Sequence, residues 1–109
     1  MATATVHIAE VSGYAGRARC FALDPPYEGH SYATVYVVPA FGSVTRPEVM
    51  TVPATETGAC AEPSLMRRPG SYVLHNAVET DEQFDGACWF ALQMLGQPGY
   101  QVVEPPEGS

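Results

Sequence analysis

Lysine is absent from all 109 residues, and five arginines face 12 Asp and Glu, for a formal charge of −7. Charged residues make up 16% of the chain, against about 25% in an average soluble domain. The acidity therefore reflects missing bases rather than surplus acids. It is also uneven: residues 1–68 carry six acids against five arginines, whereas residues 69–109 carry six acids and no base. A nucleic-acid binder needs a basic stripe to neutralise phosphates, and none is present, so no nucleic-acid partner is expected. An anionic membrane surface is disfavoured on the same ground.

Other absences narrow the reading further. No run approaches the ~18 apolar residues of a membrane span. The start, Met-Ala-Thr-Ala-Thr-Val-His-Ile, has neither the basic nor the apolar region of a secretion signal. Cys20, Cys60 and Cys88 are odd in number and never form a C-x-x-C pair. Such a set suits neither a disulfide framework nor a zinc knuckle, and it suits a reducing cytosol. His7, His30 and His75 lack ligand spacing, so no metal or cofactor is expected. There is no G-x-S-x-G and no glycine-rich phosphate loop, which leaves no catalytic residue to name and predicts a chain that is not an enzyme.

What is present reads as one domain, residues 1–109, with a flexible tail from about 104. Residues 4–11 alternate Ala4, Val6 and Ile8 with Thr5, His7 and Ala9, the pattern of a half-buried strand. A second strand is expected at 17–23, ended by Asp24-Pro25-Pro26 because prolines cannot donate to a ladder. The strongest strand signal is 31–38, with Ala33, Val35 and Val37 on one face and Tyr32, Thr34 and Tyr36 on the other. Shorter strands follow at 48–52, closed by Pro53, at 72–74 and at 100–103, with a long surface loop at 54–70. Thr80-Asp81-Glu82-Gln83 is a capping box opening a helix over about 81–95, whose Phe84, Ala87, Cys88, Ala91 and Leu95 recur on one face. Gly96 and Pro98 stop it. The fold expected is α+β: a small antiparallel sheet of about five or six short strands with that helix packed on one face.

The helix also supplies the candidate interface. At 100° per residue, Trp89 lies about 140° from Phe84 on one flank and Phe90 about 120° away on the other. Only Asp85, Gly86 and Gln93 give it a polar side. A helix apolar nearly all round is covered on more than one face: either the 54–70 loop folds over it or another chain does, a protein partner or a second copy. The acids at its start, Asp81, Glu82 and Asp85, either form a docking patch for a basic partner or simply stabilise the positive end of the helix dipole.

Arginine, alanine, glycine and proline in place of lysine are what GC-rich codons favour, so a high-GC bacterium or one of its phages is the expected source. Phe21, Leu23, Pro25, Pro26, Gly29, His30 and Tyr32 form an aromatic-x-Leu-x-Pro-Pro-x-x-Gly-His-x-Tyr pattern, followed by Val35 and Val37. Pro47-Glu48, Pro53-Ala54, Gly70-Ser71-Tyr72 and Gly99-Tyr100-Gln101-Val102 continue it. In this order of residues the chain resembles a family of short uncharacterised proteins from actinobacteriophages and actinobacteria. The resemblance spans about residues 17–103 and implies a phage or prophage origin, with no activity attached. Three readings follow: an accessory protein acting through protein–protein contact in the host cytoplasm, a capsid or tail accessory subunit of the virion, or an enzyme without a recognisable motif.

Overall fold

Alternating apolar residues build six strands and the capping box starts one helix. The computed structural model describes residues 2–39, 46–61, 71–96 and 99–103. In chain order these hold β1 (Thr3–Ile8), β2 (Ala18–Tyr27), β3 (His30–Val38), β4 (Glu48–Ala54), β5 (Ser71–Val73), α1 (Asp81–Gln93) and β6 (Gln101–Val103). The strands form one sheet in the order β5-β4-β3-β2-β1-β6, with the helix on one face. The class is α+β.

One pairing differs from an all-antiparallel sheet. β6 lies beside β1 and runs parallel to it, while the other neighbours are antiparallel. The reason is the helix. α1 leaves the β5 edge, crosses the sheet and delivers the chain to the opposite edge in the direction of β5, which is also that of β1; a parallel pair needs such a crossover.

Two expected strand ends also move. β2 does not stop at Asp24 but stays extended through Pro25 and Pro26, with a cis Asp24–Pro25 bond, to Tyr27. Prolines are compatible with extended backbone but donate nothing, so the β2–β3 register jumps from Ala22↔Tyr32 to Tyr27↔His30. β4 likewise runs through Pro53. Its carbonyl accepts from Ala61 N at 2.8 Å, so its backbone faces away from β3 and the missing N–H removes no rung of that ladder. The tail from 104 and residues 62–70 of the expected loop lie outside the described residues.

The sheet carries apolar side chains on both faces. Phe21, Leu23, Ala33, Val35, Val37 and Val49 meet Phe84, Ala87, Cys88, Ala91, Leu92 and Leu95 of the helix segment in the main core. On the other face Ala18, Tyr36 and Val52 are buried beneath Val11, Tyr14 and Cys60. Residues 55–61 fold onto this second face, away from the helix. Gly58 holds them there: the Tyr14 hydroxyl and Thr34 Oγ1 each donate to its carbonyl at 2.7 Å. Its φ is +88° and a Cβ would stand 2.9 Å from Val11, so only glycine fits without strain.

The helix is set as its sequence dictates. Gln83 N donates to Thr80 Oγ1 at 3.1 Å, and Thr80 N donates to Gln83 Oε1 at 2.9 Å. It ends at Gln93 with Met94 as the C-cap, two residues short of the expected 95. Tyr100 fastens the return: its N–H donates to the Leu92 carbonyl at 2.8 Å and its hydroxyl to the Pro25 carbonyl at 2.6 Å.

Candidate functional site

Helical geometry separates the two rings as the wheel requires. Trp89 is 53% exposed and Phe90 37%. Phe90 leans toward β5, where its ring meets Tyr72 edge-on with centroids 5.3 Å apart. Met94, four residues on and on the same flank, is 49% exposed, and Val73 on β5 is 58% exposed. These four are the exposed large hydrophobics among the described residues, and all belong to the helix segment or the strand before it. Tyr72 packs toward the main core, so Val73 points by strand alternation to the opposite face of the sheet, and only Trp89, Phe90 and Met94 lie on the outer side of the helix segment.

The acids at the helix start have a partner that the sequence reading missed. Arg17 Nη1 lies 2.9 Å from Asp81 Oδ1, and Arg17 also bonds Glu10 at 2.8 Å. Arg19 Nη1 lies 2.6 Å from Asp85 Oδ1, and its Nε donates to the Ala9 carbonyl at 3.2 Å. Both guanidiniums stack on the buried Phe84 ring, 4.4 and 4.8 Å from its centroid. The sequence carried only half of the signal: in Arg17-Ala18-Arg19-Cys20-Phe21 the arginines share the face of Phe21 by the alternation of a strand, but nothing there names the element opposite. Asp81 and Asp85 are thus tied to the chain's own arginines, while Glu82 is exposed on the outer face. Asp81 and Glu82 also lie in the first turn, where negative charge suits the helix dipole.

Little else in the described residues is chemically poised. Cys88 is 1% exposed, and burial pushes its thiol up to about 12, the state of an inert packing residue. Burial also raises the Cys20 thiol, against a smaller opposing bond from Thr34. All three cysteines are free thiols, and Cys60 is partly exposed. His7 Nε2 donates to the Glu56 carbonyl at 2.7 Å, and its ring packs on Tyr32 at 4.7 Å. Among the described residues no group of three His, Cys, Asp or Glu is placed to hold a metal ion, and no helix is long and apolar enough to cross a membrane.

A groove of about 330 Å³ opens at one end of the sheet, lined in part by Gly16, Arg17, Pro39, Pro47 and Glu79. Its arginine is held above the usual range chiefly by the Glu10 bond, and among the described residues no nucleophilic side chain lines it. No protein-family model, curated protein or solved structure matches the chain.

Proposed function

We propose that the chain is a small accessory protein of phage or prophage origin that acts in the host cytoplasm by binding another protein. The origin rests on the lysine-free composition and on the residue pattern running from Phe21 to Val102. The mode of action rests on one observation: Trp89, Phe90 and Met94 are all exposed on the outer side of the helix segment. Apolar surface left in water forgoes the gain of burial, roughly 25 cal/mol per Å², and aromatic residues are enriched among those that anchor interfaces.

Site-specific photo-crosslinking from position 89 in the producing cell tests this reading. A discrete adduct is expected, lost when Phe90→Ala is added although the chain still unfolds cooperatively. A variant Trp89→Ala with Phe90→Ala that cannot fold would return both residues to the core and remove the site. Mass spectrometry of purified particles separates the accessory role from a virion subunit, since a subunit is present there in stoichiometric amount.

A further inference from the structure

The outer side of α1 contains a glycine that the fold does not require. Gly86 lies near the middle of this 13-residue helix, and among the described residues no atom beyond its chain neighbours and the surrounding helix backbone comes within 4 Å of where its Cβ would stand. Mid-helix glycine weakens a helix relative to alanine, because its unfolded backbone has more freedom to lose. Nothing in the packing repays that loss. Trp89 and Phe90 stand three and four residues on, so they rise beside it one turn away. At 100° per residue Gly86 falls between them, about 60° from Trp89 and about 40° from Phe90. Helical geometry thus leaves a gap over the bare backbone of Gly86, bordered by Trp89 on one side and on the other by Phe90, whose ring meets Tyr72. Small residues let another chain's backbone or side chain approach a helix closely, as they do where helices pack in membranes.

Charge selects the occupant. Glu79, Asp81, Glu82 and Asp85 surround the helix start, and residues 69–109 supply no base. Arg17 and Arg19 are committed to Glu10, Asp81 and Asp85, which leaves Glu82 exposed on the outer face of the helix. A second copy would bring this acidic rim against itself, and like charges brought together oppose pairing. We propose that the Gly86–Trp89–Phe90 notch seats a basic, apolar segment of another protein. A large apolar side chain of that segment enters between the rings, and its Lys or Arg residues meet Glu82 and the neighbouring carboxylates. This rests on the reading of the chain as an interaction protein and adds the class of partner.

Trp89 is the sole tryptophan of the chain, so its fluorescence reports occupancy of the notch directly. The probe is a short amphipathic helical peptide of leucine and lysine, titrated into the full chain. The expected result is a saturating blue shift whose affinity falls at least about tenfold in Gly86→Gln, as for loss of an anchor contact. Glu56→Gln, on the opposite face of the sheet, should leave the affinity unchanged. Gly86→Ala should raise the thermal midpoint while weakening peptide binding, a split that a purely structural glycine does not produce. No blue shift, an affinity indifferent to Gly86→Gln, or one lowered by Glu56→Gln overturns the proposal. So does a lower midpoint for Gly86→Ala. A blue shift that grows with the chain's own concentration overturns the basic partner but leaves the interaction reading standing. Failure of that reading would appear instead as an absent crosslink at position 89.

Discussion

Phe84 shows how much one side chain carries. It is fully buried, with the main core beneath it and the guanidiniums of Arg17 and Arg19 against its ring. Phe84→Ala is expected to cost about 3–5 kcal/mol, the range for truncating a buried phenylalanine. Thr80→Ala, which removes only a cap, should cost about 1 kcal/mol. Urea midpoints of the two variants measure the difference, and similar values would mean the helix presents another face to the sheet. The cysteines differ as sharply. Cys60 is partly exposed, whereas Cys20 and Cys88 are buried with raised thiols. Iodoacetamide on the native chain should therefore label Cys60 first, and the other two only on unfolding, as intact mass against time will show. That Cys88 belongs to the core was legible from its place on the helical stripe. That Arg17 and Arg19 meet Asp81 and Asp85 was not, because periodicity assigns a residue to a face but does not say which element stands opposite.

At the scale of elements, the helix and the 55–61 segment are fastened differently. The helix rests on its apolar stripe, and its ion pairs are secondary. Asp85 is 61% exposed at its side chain, so a double-mutant cycle of Arg19→Ala with Asp85→Ala should give a coupling of only about 0.2–1 kcal/mol, reduced by salt. The 55–61 segment depends on a single backbone position. Gly58→Ala forces a side chain into a φ of +88° and against Val11, and a loss of roughly 1–3 kcal/mol is expected. Thermal unfolding of this variant checks it; an unchanged midpoint would mean the segment does not depend on that conformation. The capping box predicted the helix start correctly because its bonds are local. The prolines end neither strand: Pro53 turns its backbone away from β3, and Pro25 and Pro26 interrupt the β2–β3 ladder while the chain stays extended to Tyr27, a distinction that composition alone does not carry.

For the whole molecule, pH exposes the effect of burial. Burial raises Cys88, Cys20, Tyr14 and Tyr100 above their ordinary values, 9.0 for the thiols and 10.0 for the phenols. A raised acid is neutral in the fold and ionises more readily when unfolded. Its stabilisation is therefore complete below the unfolded value and is lost as pH climbs toward the folded one. Between pH 9 and about 12, the span set by Cys88, the thermal midpoint should fall steadily. Cys88→Ala should flatten part of that fall. A midpoint independent of pH in this range would place Cys88 in contact with water.

The sequence by itself determined the elements and their inward sides: the 31–38 strand with its two faces, the helix from Thr80 and its stripe. These are consequences of local periodicity and capping, which act within a few residues. It also established the acidity and the lack of any basic stripe, since those need only counting. Tertiary structure alone decided the parallel placement of β6, the covering of the second face by residues 55–61, and the pairing of the helix acids with Arg17 and Arg19. Among the described residues it likewise leaves Trp89, Phe90 and Gly86 exposed on the outer side of α1. Each of these depends on which elements meet across tens of residues, and no short-range pattern encodes that meeting.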